Sequence, residues 1–280
     1  MPSICLPNKS FIKVSGSAAQ TFLQGIITAD VNTIPYEVAR GSALLTPQGK
    51  ILFYFLISKI EENIFLLEID DNKCCDLVEK LILYKLRMDV IIEVQKIRGV
   101  TLSWNQENPL NTPSFIDERF LIAGVKLWRT QECTADYASD SESYYKLRVN
   151  HGIVDPNIDF PSSTIFPHDI WMDTLKGVSF TKGCYIGQEV VSRIQHRHSI
   201  RKRSIIIKGD KDLPNGNLPL IVNNKKIGTL GIVMENKAIA ISRIDKLEEA
   251  MKLNLPITVN DIEIVPIFPS WKDENLLNKK

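Results

Sequence analysis

Eight consecutive residues, Lys182-Gly183-Cys184-Tyr185-Ile186-Gly187-Gln188-Glu189, bring together a cation, a thiol, a phenol, an amide, a carboxylate and two glycines. A cysteine acts through its thiolate, and a nearby ammonium stabilises that form. Lys182 lies two positions before Cys184, so an extended backbone would put both side chains on one face. The expected chemistry is that of an activated thiol, Cys184, assisted by Lys182. Gly183 and Gly187 bracket the thiol and allow a tight turn or the close approach of a ligand. The residues after Gly187 read as the start of a helix or a strand. A helix would turn its positive end towards a thiolate.

Other candidate groups are weaker. Phe22-Leu-Gln-Gly-Ile-Ile-Thr-Ala-Asp30 leaves Gln24, Thr28 and Asp30 near a glycine, either as a ligand-facing corner or as an ordinary helix end capped by Asp30. Residues 193–203 hold five Arg or Lys, two His and no acid. Such a run can meet phosphate or RNA through salt-sensitive contacts, although a solvated linker is the favoured reading. His151, His168, His196 and His198 form no ligand spacing with each other or with cysteine, so no metal site is expected. Gly49-Lys50 lacks the other residues of a phosphate loop. No Ser-His-Asp order or paired-carboxylate motif stands out.

The chain that must position these groups has 280 residues and 44% hydrophobic content, enough for one large or two modest domains. Lys plus Arg number 34 and Asp plus Glu 33, so overall charge argues neither for nor against a nucleic acid. The cysteines Cys5, Cys74, Cys75, Cys133 and Cys184 are odd in number, with one adjacent pair and no C-x-x-C. That pattern suits a reducing compartment better than a disulfide framework. No secretory pattern opens the sequence, and the longest apolar run, 51–57, is far too short to span a bilayer. A cytoplasmic protein without a membrane partner is expected.

Strands are predicted over residues 11–14, 38–45, 51–57, 63–69 and 90–94, then over 100–104, 119–123 and 125–128. Helices are predicted after a Ser17/Gln20 capping box, over 74–88 and over 139–149. Residues 105–117 read as a loop, and 156–167 as an irregular, proline-bearing stretch of the kind that often carries function. His196 and His198 would alternate on a strand face. Beyond them, short strands at 204–208, 218–222, 226–234, 237–241 and 256–264 suggest a small antiparallel barrel or sandwich. The fold class is α+β with mostly antiparallel sheets. The expected division is 1–195 as a main region, in two lobes of roughly 1–95 and 96–195, then 196–270 as the barrel and 271–280 as a tail.

Lys182-Gly-Cys-Tyr-Ile-Gly-Gln-Glu189 resembles the signature of the YgfZ family of folate-binding proteins, whose mitochondrial counterparts assist iron–sulfur assembly. That family is related to the aminomethyltransferase of the glycine cleavage system. Phe22-Leu-Gln-Gly-Ile-Ile-Thr-Ala-Asp-Val31, Leu44-Leu-Thr-Pro-Gln-Gly-Lys50, Gly177-Val-Ser-Phe-Thr-Lys-Gly-Cys184 and Arg193 extend the likeness over most of residues 11–203. The resemblance implies an aminomethyltransferase-like fold of two α+β lobes and a C-terminal β-barrel around a cleft that takes tetrahydrofolate or a one-carbon derivative. It implies a role in maturing or repairing iron–sulfur enzymes, including ones that modify tRNA, with client or assembly proteins as partners. Cys184 is then the key thiol, with Lys182, Tyr185, Gln188 and Glu189 beside it, and Arg193 and Asp30 as further folate contacts. A tryptophan of some bacterial members falls near Lys9 here, whereas a second aromatic position is kept as Tyr144. The basic run 193–203 would suit a folate's polyglutamate tail. A folate-dependent aminomethyltransferase and an RNA-binding module are the alternative readings. The cysteine-centred signature speaks against the former, because the glycine-cleavage enzymes lack it.

Overall fold

A computed structural model of the chain describes residues 3–105, 113–133, 141–197 and 199–272. Its first half contains β1 (Ser3–Ser15), α1 (Ala19–Ile26), β2 (Val38–Leu45), β3 (Ile51–Glu61), β4 (Ile64–Asp70), α2 (Asp71–Lys85) and β5 (Ile91–Trp104). Then come β6 (Ser114–Asp117), α3 (Glu118–Ile122), β7 (Leu127–Gln131), α4 (Glu142–His151), α5 (Pro156–Asp159) and α6 (Gln188–His196). The remainder is β8 (Lys202–Gly209), β9 (Pro219–Val222), β10 (Lys225–Met234), β11 (Lys237–Arg243), α7 (Ile244–Lys252), β12 (Thr258–Val259) and β13 (Ile262–Ile267).

Two closed barrels result, one in the order β1-β4-β3-β2-β6-β7-β5 and one in the order β10-β11-β8-β13-β12-β9. Among the described residues, every pair of these strands is antiparallel except β2 with β6. The fold is α+β, as the alternation of hairpins and helices indicates. β2 and β3 are nearly continuous runs of buried residues because one face looks into the barrel and the other is covered by neighbouring elements. Their connection is a tight turn in which Thr46 N donates to Lys50 O at 2.8 Å and Gly49 takes a φ of +77°, which favours glycine.

Helix α1 packs Phe22 and Leu23 against Phe55, Phe65 and Leu77 in one apolar cluster. A second cluster joins Tyr54 on β3 and Tyr185 and Val191 near α6 to Ile239 and Ile241 on β11. The signature segment is therefore wedged between the two barrels.

Several elements differ from expectation. The Ser17/Gln20 capping box does not form; Ala18 is the N-cap, and the Ser17 hydroxyl donates instead to Asp89 at 2.6 Å. The strand expected over residues 119–123 is α3, because the Asp117 side chain accepts from Arg119 N at 3.1 Å and caps a helix there. The strands expected at 90–94 and 100–104 are one strand, β5, which runs through residues 95 and 96 without a break. The irregular stretch after Asp155 opens with α5, capped by the Asp155 side chain. The strand expected over 256–264 is split into β12 and β13 by Asn260 and Asp261, both at positive φ. Helix α7, with Leu247 and Ala250 buried, was not foreseen. His196 ends a helix and so does not lie on a strand. His198, residues 106–112 of the expected loop, residues 139 and 140 of the expected helix, and 273–280 of the tail lie outside the described residues.

Cys5 and Cys133 are joined in a disulfide across 128 positions. This runs against the reading of the cysteine pattern as better suited to a reducing compartment than to a disulfide framework. Cys5 pairs with Thr101, and Thr101 with Thr130, so the β1–β5–β7 register brings the two thiols together. Register is a long-range property that cysteine spacing alone does not reveal.

Candidate functional site

Three stretches far apart in sequence meet around the signature. Thr28, after α1, donates through its hydroxyl to Gly177 O at 2.7 Å and accepts from Ala43 N at 2.9 Å. Ser179 N donates to Thr28 O at 2.9 Å. Gly187 packs on the β2–β3 turn so tightly that a Cβ there would lie 2.6 Å from Thr46 O, and its φ is +78°. The three phrases are thus one assembled corner, tied by contacts that require the small residues at those positions.

Lys182 is half-buried and donates from Nζ to the carbonyls of Gln24 at 2.8 Å, Ile27 at 2.6 Å and Ala29 at 2.8 Å. An ammonium has three donors, so all are committed to α1 and its exit, not to the thiol. Burial lowers the Lys182 pKa to about 8, against the opposing pull of Asp30. Its Nζ lies 4.8 Å from the centre of the Tyr185 ring. Tyr185 is buried, its hydroxyl has no hydrogen-bond partner among the described residues, and burial pushes its pKa up. Gln188 Oε1 accepts from Tyr185 N at 3.3 Å and so tightens the turn into α6, which is a helix and not a strand.

Cys184 is a free, exposed thiol. It sits in a groove of about 390 Å³ with Gly183 on one side and Gln20, Thr21, Gln24, Gly25 and Asn32 on the other. Asp30 accepts from Gln24 Nε2 at 2.9 Å and from Asn32 N at 3.1 Å, so it organises the groove wall and caps a short 3-10 turn. Glu189 and Arg193 are exposed on α6 and line neither this groove nor the cavity below. Within the basic run, Arg203 is buried, paired with Asp173 at 2.6 Å and stacked 4.1 Å from the Trp171 ring, which removes it from any polyanion-binding surface.

A larger cavity of about 590 Å³ lies elsewhere, lined by Lys9, Asp70, Tyr144, Tyr145, Asp155 and Asn157 among others. Tyr144 is the one expected site residue found there, packed 6.0 Å from Phe120 and 5.9 Å from Tyr145 between ring centres. Lys9 Nζ bridges Asp70 at 2.5 Å and Asp155 at 3.5 Å. Burial disfavours its charge, but Asp155, Asp70 and Glu68 outweigh burial and hold its pKa above the ordinary lysine value. Burial likewise raises Asp155, yet Lys9, Arg148 and Arg119 bring it down to about 2. Asp70 is raised by burial and by Asp155, and its Oδ2 is buried with no hydrogen-bond partner among the described residues. Beneath lies a buried ionic layer: Arg119 pairs with Asp117 at 2.7 Å, Arg129 pairs with Asp117 at 3.1 Å and with Glu68, and Arg119 donates to the Tyr54 hydroxyl at 3.2 Å.

Lys9, Asp70, Asp155 and Asn157 are functional candidates that motif reasoning missed. The signals were the Lys9 position, where the resemblance places a tryptophan in some bacterial members, and the Asp155-Pro156-Asn157 step at the mouth of the proline-bearing stretch. Among the described residues no three His, Cys, Asp or Glu side chains are placed to hold a metal ion. No helix among them is long and apolar enough to cross a membrane.

Residues 201–274 match the family profile described as the C-terminal beta-barrel domain of CAF17, which covers β8–β13. The mouse mitochondrial iron–sulfur cluster assembly factor IBA57 is 29% identical over 75% of this chain and 66% of its own length. The human factor is 25% identical over 95% of this chain and 84% of its own. A Neurospora crassa homologue is 28% identical over 71% of this chain, which spans about half (51%) of that longer protein. The homologues of this chain are IBA57 iron–sulfur cluster assembly factors, relatives of the YgfZ family. In structure the chain is similar to the glycine cleavage system aminomethyltransferase T of Bartonella henselae, with a TM-score of 0.70, 11% identity, and coverage of 95% of this chain and 84% of the other. That likeness establishes the aminomethyltransferase-like fold. The expected cytoplasmic location is overturned, because the IBA57 relatives are mitochondrial proteins. Cysteine spacing does not identify a compartment, and two of these cysteines are joined in a disulfide.

Proposed function

We propose that this protein is an accessory factor for maturing or repairing iron–sulfur proteins, that it holds a reduced folate in the central cavity, and that it presents Cys184 to a protein client at a separate groove. One observation carries the division: no residue that lines the 590 Å³ cavity lines the 390 Å³ groove. The cavity supports a folate on three counts. Its volume falls in the ordinary range for small-molecule sites, about 300–1,000 Å³. Tyr144 and Tyr145 supply aromatic faces for a flat heterocycle. The unpartnered Asp70 oxygen suits a ligand that brings N–H donors, as the amino-pyrimidinone edge of a pterin does.

In this reading Asp70 and Asn157 orient the heterocycle and Tyr144 packs on it. The Lys9 ammonium keeps Asp155 ionised and screens the cavity's negative charge. A bound reduced folate would supply one-carbon carrier chemistry. Cys184, open to solvent, engages a client or its cluster as substrate from outside. The separation disfavours Cys184 as a nucleophile on the folate's one-carbon unit and, with it, an aminomethyl transfer routed through this thiol. Clients that modify tRNA follow from the YgfZ-like signature.

Titration calorimetry with tetrahydrofolate tests the first half. Saturable binding weakened by Asp70→Asn and unaffected by Cys184→Ser is expected; no binding up to millimolar folate overturns it. Recovery of a cluster-dependent enzyme in cells lacking the factor tests the second half. Cys184→Ser should fail to restore it, and full restoration removes the thiol from the mechanism.

A further inference from the structure

We infer that Lys182 is the positioning residue of Cys184: it pins the thiol-bearing loop onto the C-terminal end of α1 and so holds the two walls of the Cys184 groove together. The inference deepens the reading of Cys184 as the working thiol and rests on it.

A helix leaves its last carbonyls without partners inside the helix. These are often closed by a glycine in the left-handed conformation just past the end. Helix α1 has no such closure. Its C-cap, Ile27, is extended (φ −100°, ψ 165°), and its last turn carries no basic residue. Lys182, 155 residues further along the chain than Ile27, donates to one carbonyl of that last turn, Gln24 O, and to the carbonyl of the cap itself, Ile27 O. Its ammonium accounts for the carbonyls of Gln24, Ile27 and Ala29, at the end where a cation is also favoured by the helix dipole.

The position of this pin matters for the groove. Gln24 and Gly25 form the wall on the α1 side, and Gly183 and Cys184 form the loop side. A Cβ on Gly25 or on Gly183 would meet nothing within 4 Å, so the walls do not hold each other by packing at those points. Lys182 precedes Gly183 directly, and its side chain crosses between the two walls. The Tyr185 ring beneath Nζ limits where the ammonium can swing. On the far side, Gly187 is locked against the β2–β3 turn. Cys184 is therefore held between two fixed points, three residues from the glycine and two from the lysine.

This role differs from stabilising a thiolate, and the two leave different signatures. Amide hydrogen exchange followed by mass spectrometry reads the pin; the pH profile of Cys184 alkylation by iodoacetamide reads the thiol. Lys182→Met keeps the stem and removes the donors. It should speed exchange of the segment 183–187 by about tenfold or more, in line with the loss of charge-assisted hydrogen bonds, and leave β8–β13 unchanged. The alkylation midpoint should stay where it is. Lys182→Arg, which keeps a cation and several donors, should restore much of the protection. Unchanged exchange in Lys182→Met overturns the pin. So does a raised alkylation midpoint with unchanged exchange, which would make Lys182 a thiolate stabiliser. Should Lys182→Met fail to fold, Lys182→Gln retains two donors and should show intermediate exchange; wild-type exchange in that variant also overturns the inference. A Cys184→Ser protein that supports its client fully would remove the functional reading and leave the exchange result standing.

Discussion

Lys9 and Asp70 are register partners across β1 and β4, and their side chains close on each other at 2.5 Å inside the central cavity. The same ammonium reaches Asp155 at 3.5 Å, so one cation serves carboxylates from a strand end and a helix cap. Removing it leaves buried Asp155 and half-buried Asp70 without this shared counter-charge. Lys9→Met should therefore destabilise the protein by about 3–5 kcal/mol, the usual cost of breaking a buried pair from one side. Urea denaturation followed by far-UV circular dichroism measures this. A loss below about 1 kcal/mol would place the pair among exposed, weak ones.

Asp155 makes the acid limb of stability specific. Its folded pKa, about 2, lies below the ordinary carboxylate value of 3.8 because Lys9, Arg148 and Arg119 more than offset its burial. At Asp155 the unfolded chain binds more protons than the folded one in the window between these values, so this group's contribution to stability is lost as pH drops from about 4 to about 2. Asp155→Asn should be less stable at neutral pH but show a shallower decline across that window. Equal slopes for the two proteins would assign the acid sensitivity elsewhere.

Gly187 is a conformational requirement and a steric one together. Its φ is +78°, and a Cβ at this position would stand 2.6 Å from Thr46 O, which leaves no room for alanine. Gly187→Ala should cost about 1–3 kcal/mol and lower client-directed activity as the loop shifts. Folate affinity should be unchanged, because Gly187 does not line the central cavity. A parallel loss of folate binding would show that groove and cavity are coupled.

The Cys5–Cys133 disulfide closes a long loop, its ends separated by 128 in sequence. Chain-entropy reasoning assigns such a crosslink about 2–5 kcal/mol. Thermal unfolding with and without a dithiol reductant should differ accordingly, and the double variant Cys5→Ser/Cys133→Ser should match the reduced protein. Identical unfolding under both conditions would mean the thiols are unpaired in solution.

The sequence alone determined the class of fold, the antiparallel character of the sheets, the C-terminal barrel and the chemical weight of residues 182–189. Those are local properties: alternation in strands, glycines at forced turns, a dense run of reactive side chains. Tertiary structure decided what the residues do to one another. Lys182 and Cys184 look like partners at a spacing of two, yet the ammonium turns to carbonyls that lie more than 150 positions away. Tyr144 looks like a neighbour of the signature in function and stands instead in a different cavity. Lys9, Asp70 and Asp155 carry no motif, since a buried ionic cluster is built by register between strands and by a helix cap, and neither is written in local spacing. Residues 119–123, four apolar residues after an arginine, with strand-like composition, became a helix because Asp117 caps it and Arg119 answers that buried charge. The disulfide follows the same rule: its cysteines meet only after β5 has been threaded between β1 and β7. Short-range patterns show most of the elements, though not α3 or α7; the long-range closing of the barrel fixes which side chains share a site.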